Sequence, residues 1–404
     1  MNILFLSELF YPHGGGAELA TYLYADLLSR KGVNIVVFTN RFPGEPATSR
    51  NGRLRIYRLD ILGGNRNSKY SITQAVVTLF SGLIKRYLLW ADIVYIPRFW
   101  FSAIPLAKTC SKPVIVHLHD FIPSCPLTTL FNVSKEQICA FKGPFCPLKC
   151  IYSYEREAGN GLVETLTSVV LNSTLGRQLG RVINLSDALI CVSEAQKSLI
   201  AERTPLLHDK LSVISNPIQH LPFNGIEGGD FAYFGGPGRL KGFETLCHAL
   251  LGMEGSEHLR VQVTNFPTSM DGKIILLNKA EIVLHQRLNM ANIGKLYDSL
   301  RAVIVPSLLP ETYSYTICEA ILRGRLVIAS NIGAIPEVTK NCKGVFLFKP
   351  GDRKELRSKL EHVCNMSKEV VFNLVEQDRF TFLKRFNNET TSNDFLSLCD
   401  RLLR

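Results

Sequence analysis

The chain has 404 residues, 46% of them hydrophobic and 20% charged, enough apolar content for two globular domains and too much for a disordered chain. Its formal charge of +11 suits an acidic partner, a nucleoside diphosphate or an anionic lipid surface, and the scattered basic residues carry no nucleic-acid motif. No apolar run reaches the length of a membrane span, the first residues lack the basic front of a signal peptide, and eleven scattered cysteines suit a reducing cytoplasm.

A buried strand over Ile3 to Leu6 leads through Gly14, Gly15 and Gly16 into a helix with Leu19, Tyr22, Leu23 and Leu27 on its apolar face, and then into a strand over 33–39. Successive glycines let a ligand approach the backbone at a helix N-terminus, although any tight strand–helix turn favours them and the dinucleotide G-x-G-x-x-G spacing is absent. A further strand covers 54–59. Residues 71–90 read as one helix, whose aromatic and basic ends suit a membrane surface, although packing on a sheet is the plainer account. Strands follow over 92–96 and 113–121. The latter ends in His117, His119 and Asp120, where a carboxylate can orient an imidazole or a hydroxyl.

Cys125, Cys139, Cys146 and Cys150 then fall close together. Four thiolates can hold a tetrahedral zinc or an iron–sulfur cluster, but the C-x-x-C pairing is missing, and a loop of reduced thiols is the alternative. Residues 152–186 read as helix and 188–194 as a strand, with a domain boundary near 206–220. The second half opens as strand, glycine-rich loop and helix, with Arg239 and Lys241 in the loop; strands follow over 260–263 and 281–285.

The strand over 300–307 is followed by Glu311 in its exit loop and by Glu319 inside a helix expected to start near Thr312 and to close at Gly324. In an open parallel sheet this is where ligands bind. Two carboxylates there can accept hydrogen bonds from two hydroxyl-bearing parts of one ligand, and the N–H groups of 313–316 suit a phosphate. The plainer reading is a pair of capping or solvated acids.

The run Pro310-Glu311-Thr312-Tyr313, then Glu319-Ala320, Gly324 and Gly333-Ala334-Ile335-Pro336-Glu337, resembles the nucleotide-sugar site of retaining glycosyltransferases of family four. The resemblance implies the GT-B fold: two facing Rossmann-like domains with the active site in the cleft between them. It divides the chain into an acceptor-binding domain over 1–206, with a cysteine-bearing insertion near 125–150, a nucleotide-sugar domain over 207–385, and a terminal helix over 386–404 returning to the first domain.

By the same resemblance, Glu311 binds hydroxyls of the donor sugar, Glu319 the ribose, and Lys241 with Arg239 the diphosphate. Backbone groups at Tyr313, Ser314 and Tyr315 assist, with Ser314 standing where the family has glycine. Gly236 occupies the family's arginine position, so Arg239 is expected to substitute. Gly15 and Gly16 line the cleft, His119 meets the transferring sugar, and Asp120, Arg98, Trp100 and Phe101 face the acceptor. His285 and Arg287 neighbour the base. With no Asp-x-Asp for a divalent ion, catalysis is expected to need no cofactor, and any zinc on the cysteines would be structural. The implied activity is retaining transfer of a sugar from a nucleotide diphosphate sugar to a saccharide or lipid-linked saccharide. Cell-envelope polysaccharide synthesis, peripheral to the cytoplasmic membrane face, is the expected setting. A nucleotide-sugar epimerase of the same fold and a non-catalytic sugar-nucleotide-binding subunit are the rivals; a phosphorylase would need a pyridoxal-phosphate lysine, for which no motif speaks.

Overall fold

Apolar β-branched runs alternating with amphipathic helices build two sheets in the computed structural model, which describes residues 1–62, 71–140, 148–224, 228–253 and 259–404. The first half contributes β1 (Asn2–Leu6), β2 (Asn34–Asn40), β3 (Thr48–Asn51), β4 (Leu54–Leu59), β5 (Ile93–Ile96) and β6 (Val114–Leu118). A small antiparallel hairpin, β7 (Phe131–Asn132) and β8 (Gln137–Ile138), sits in the cysteine-bearing segment, and β9 (Ala188–Cys191) and β10 (Leu211–Val213) complete the set. The sheet order is β10-β9-β6-β5-β1-β2-β4-β3, parallel except for the edge pair β3–β4. Both faces are covered, as parallel sheets require. In β1, Leu4 and Leu6 join the core under the helix Gly82–Trp90, while Ile3 and Phe5 join the core of the helix Gly16–Arg30. Because β10 pairs with β9, the first sheet runs on to Val213, inside the 206–220 stretch expected to hold the boundary.

The second sheet holds β11 (Asp230–Tyr233), β12 (Leu259–Val263), β13 (Ile274–Leu277), β14 (Ala280–Leu284), β15 (Leu300–Val305), β16 (Leu326–Ser330) and β17 (Val345–Phe348). Its order, β13-β14-β12-β11-β15-β16-β17, puts the switch in winding between β11 and β15. The loops after those two strands diverge there and leave a crevice at their carboxyl ends. The terminal helix Asn388–Leu403 crosses back: Phe395, Leu398 and Cys399 pack with Tyr24 against the first sheet. Its Asn388 brackets the linker, Oδ1 accepting from Ile218 N–H at 2.8 Å and Nδ2 donating to Ile218 O at 2.9 Å.

Two expectations need correction. Residues 71–90 form two helices, Ile72–Phe80 and Gly82–Trp90, because Ser81 turns extended and its hydroxyl caps the second by accepting from Ile84 N–H at 3.3 Å. Trp100 and Phe101 do not face an acceptor. Both are buried in the first core, and the Trp100 indole donates to Thr78 Oγ1 at 2.7 Å, which satisfies the one polar group its burial would otherwise strand.

Candidate active site

Glu311 lies in the loop leaving β15, and two glycines fix that loop. Gly333 adopts φ +58°, and a Cβ there would meet Glu311 O at 2.4 Å; Ala334 N–H donates to that same oxygen at 2.8 Å. Gly242, at φ +92°, packs so closely on Pro306 that a Cβ would lie 1.9 Å from its carbonyl oxygen. This second close approach carries the preceding residue to the acid: Lys241 Nζ donates to Glu311 Oε1 at 2.8 Å. The carboxylate beside it raises the Lys241 amine, which stays charged.

The helix after Glu311 starts three residues later than expected, at Tyr315, with Ser314 at its N-cap in the left-handed region (φ +65°). Its first N–H groups have no intrahelical partners, and Tyr315 and Thr316 line a cavity of about 290 Å³ together with Gly16, His119, Lys241 and Glu311. The N-terminus of the helix Gly16–Arg30 arrives from the other domain. A Cβ on Gly16 would come within 3.1 Å of the Tyr315 ring, so a side chain there would press on that ring and glycine leaves the approach unhindered. Two helix N-termini and one ammonium thus converge on one cavity, a field suited to an anion.

An adjoining cavity of about 740 Å³ shares Gly16, Tyr315 and Thr316, and is further lined by Gly15, Arg287 and Glu319. Burial raises the Glu319 carboxyl to about 7, against the opposing pull of Arg323. Arg287 Nη2 reaches across to Gly14 O at 2.5 Å, closing this cavity from the second domain onto the glycine loop. His285 instead turns to Gln262, 2.7 Å away, and lines neither cavity.

His119 stands just past β6, stacked on His117 with ring centroids 4.4 Å apart. Burial first, and the Arg98 charge second, push it down to about 3. It is therefore a neutral imidazole, and its buried Nε2 has no hydrogen-bond partner among the described residues. A neutral ring can hydrogen-bond a sugar hydroxyl without repelling positive charge developing on the sugar. Thr312 Oγ1 donates to His119 O at 2.9 Å, locking this strand end to the Glu311 loop.

Two sequence comparisons bear on this geometry. The model of Glycosyltransferase Family 4 matches residues 14–220, more than half of the chain, and that of Glycosyl transferases group 1 matches 233–366. The chain belongs to glycosyltransferase family 4. Membership assigns it sugar transfer from a nucleotide-sugar donor. No curated protein matches the sequence. Among solved structures, the fold matches sucrose-phosphate synthase from Thermosynechococcus elongatus at TM-score 0.71 and 15% identity, covering 99% of this chain and 98% of that one. HepE from Anabaena, in complex with UDP, matches at 0.62 and 16%, covering 99% and 100%. The catalytic domain of starch synthase IV from Arabidopsis thaliana, bound to ADP and acarbose, matches at 0.65 and 13%, covering 99% of both chains. At such identities the likeness is one of fold, GT-B, and the two sheets facing one cleft have that architecture.

Against this family frame, several residues sit elsewhere than expected. Arg239 lines neither cavity. It stands at the start of the short turn Arg239–Lys241 and pairs with Glu136 at 2.5 Å and Glu157 at 2.6 Å, both from the first domain. Asp120 also lines neither cavity; its Oδ1 accepts from Ile122 N–H at 2.8 Å and holds the turn. Arg98 does not face an acceptor either: it is mostly buried between Glu8 and Glu18, 3.1 Å from each. Glu18 in turn accepts from Gly15 N–H at 2.6 Å, so this acid–guanidinium–acid group braces the glycine loop. Sequence reading missed Glu8 and Glu18 as supports, though Glu18 at the third helical position after Gly15 is the acid half of a capping box.

Cys125 and Cys150 are buried and Cys139 is half-buried, while Cys146 lies outside the described residues. Burial pushes the Cys125 thiol up. Among the described residues no group of three or more His, Cys, Asp or Glu is placed to hold a metal ion.

Proposed function

We propose that this glycosyltransferase transfers a sugar from a nucleoside diphosphate donor to a hydroxyl of a saccharide or lipid-linked saccharide, with retention at the anomeric carbon. The observation carrying the proposal is the Lys241–Glu311 pair at 2.8 Å beside the Tyr315 helix N-terminus, with Glu319 in the adjoining cavity. A donor diphosphate draws Lys241 off Glu311 and lies on the helix N–H groups. The released Glu311 carboxylate then accepts from the sugar hydroxyls, and Glu319 accepts from the ribose. As the glycosidic bond breaks, charge grows on the departing diphosphate, where Lys241 and the helix dipole meet it. His119 holds the sugar by its neutral Nε2. Because the diphosphate meets an ammonium and backbone donors, the reaction proceeds without a divalent ion.

The proposal extends to cell-envelope polysaccharide synthesis at the cytoplasmic membrane face. For the membrane face the support is a helix, Ile72–Phe80, that exposes Ile72, Leu79 and Phe80 by 80%, 60% and 82%, an apolar stripe fit for a lipid surface. No described helix is long and apolar enough to cross a membrane.

The first test is thermal shift with UDP, GDP and ADP. The HepE and starch synthase structures hold UDP and ADP respectively, which makes these the leading candidates here. One nucleotide raises the melting temperature, and Glu319→Ala diminishes the shift. With the matching donor sugar, Lys241→Ala lowers kcat by about 10²–10³-fold, the range for removing one preorganised charge donor, and excess EDTA leaves wild-type turnover unchanged. Donor binding with no transfer to any acceptor would favour the non-catalytic reading; release or interconversion of the donor sugar without an acceptor would favour an epimerase.

A further inference from the structure

A third cavity, of about 660 Å³, lies far from the cleft, at the amino ends of β2 and β4, the opposite end of the first sheet from His119. Four guanidinium groups line it: Arg50 on β3, Arg53 in the hairpin turn, Arg55 on β4 and Arg86 on the helix Gly82–Trp90. Tyr87 and Trp90 form its wall, and no Asp or Glu is among its lining residues.

Three of these arginines are held by neutral acceptors. Arg50 Nε donates to Gly52 O at 3.1 Å, and Arg53 Nη1 to Asn34 Oδ1 at 2.9 Å. Arg55 Nη1 donates to the Tyr87 and Tyr57 hydroxyls at 3.1 and 3.3 Å. Arg86 makes no hydrogen bond to a described residue. Among the described residues none of the four has a carboxylate within ion-pair distance, so the forks are oriented while their charges stay uncompensated. The register sharpens the point: Arg50 and Arg55 are direct cross-strand partners in the β3–β4 hairpin. Like charges directly opposite one another destabilise a hairpin, and elsewhere on the same pair of strands Arg58 has an acid, Glu45, at 3.5 Å. An anion between the forks removes the repulsion, and planar guanidinium forks match the oxygens of a phosphate.

We propose that this pocket is a binding site for a phosphate or diphosphate group, separate from the donor site, with Arg50, Arg53, Arg55 and Arg86 as its ligands. The group comes either on a soluble molecule or on a lipid headgroup, and the test separates these sources. Hydrogen exchange of the full chain is followed with inorganic pyrophosphate, and separately with vesicles of phosphatidic acid in phosphatidylcholine. Reading protection at residues 50–55 and 83–90 keeps the answer independent of any phosphate entering the cleft. The double variant Arg50→Gln/Arg86→Gln alters two exposed side chains, and Lys85→Glu, next to Arg86 but outside the pocket, makes the same change of −2 in net charge and so controls for it.

If pyrophosphate protects these segments, and the double variant weakens it by about tenfold or more while Lys85→Glu changes it less than about twofold, the site takes a soluble phosphate. If only the phosphatidic acid vesicles protect them, with the same ranking of variants, it takes a headgroup. No protection by either probe, or an equal loss with Lys85→Glu, overturns the proposal, the latter by showing diffuse attraction rather than a built pocket. Melting curves of both variants matching wild type verify that the folded protein is being compared.

Discussion

Glu319 works at the edge of its own ionisation. Burial holds its carboxyl near pH 7, whereas a carboxylate that accepts from ribose hydroxyls must be charged to accept strongly. The sign is that of a raised acid: as pH falls through 7 the group takes up a proton and the acceptor is lost. Nucleotide affinity is expected to fall by about tenfold per pH unit below the titration point and to level off above about pH 8. Glu319→Gln, uncharged throughout, binds weakly with a flat profile; calorimetry across this range that showed wild type equally flat would remove Glu319 from the donor site. Arg98 makes the complementary case. It lies between Glu8 and Glu18, and burial already raises Glu8 despite the guanidinium. Arg98→Ala leaves two buried acids facing each other, a loss of about 3–5 kcal/mol. The deficit is expected to shrink toward about pH 5, because burial raises the Glu8 carboxyl and its protonation then favours the folded form. Denaturant melts of both proteins at two pH values measure this directly; a deficit that grew at the lower pH would contradict the pairing.

The helix Tyr315–Leu322 owes its position to a residue that suits its conformation poorly. Ser314 holds φ at +65°, a region an L side chain enters with strain of about 1 kcal/mol or more. Ser314→Gly removes the strain but adds about 0.4–1 kcal/mol of unfolded-state entropy to be lost on folding. The net expectation is a small gain in stability, read as a melting temperature unchanged or a few degrees higher, with donor binding kept; a clear loss would mean that the Ser314 side chain makes a contribution its backbone geometry does not show. At this scale the sequence was most legible. The strand–loop–acid–helix run from 300 to 324 could be read because buried apolar runs, turn residues and glycines sit next to one another along the chain. The break at Ser81 also had a local signal, a Ser-Gly dipeptide that caps one helix and starts another. What could not be read were pairings made by distant segments. An arginine after a strand looks the same whether it faces a ligand, as expected of Arg98, or is buried between two acids. Arg239 likewise meets Glu136 and Glu157 only once the two domains face each other.

That facing arrangement is held in part by directional polar contacts. Ser193 Oγ donates to Thr312 O at 2.9 Å, Tyr315 OH donates to the linker at Pro217 O at 2.7 Å, and Arg239 bridges to its two acids. The most directional contact is Glu337, whose carboxylate oxygens accept from the backbone N–H groups of Glu194 and Ala195, each at 2.9 Å. Those are the first two positions of the helix Glu194–Arg203, so an acid from the second domain caps a helix of the first. A charged cap of this kind contributes about 1–2 kcal/mol, and all of it counts toward closure because the contact exists only when the domains meet. Glu337→Ala should shift the balance toward an open cleft by about tenfold, and apparent donor affinity should fall by the fraction of closed molecules lost. Small-angle scattering then shows a larger radius of gyration for the variant alone, and donor returns it to the wild-type value because binding favours the closed form. Identical scattering from both proteins, with affinity unchanged, would mean that closure is set by the linker and the terminal helix, with the Glu337 cap following the domains rather than holding them.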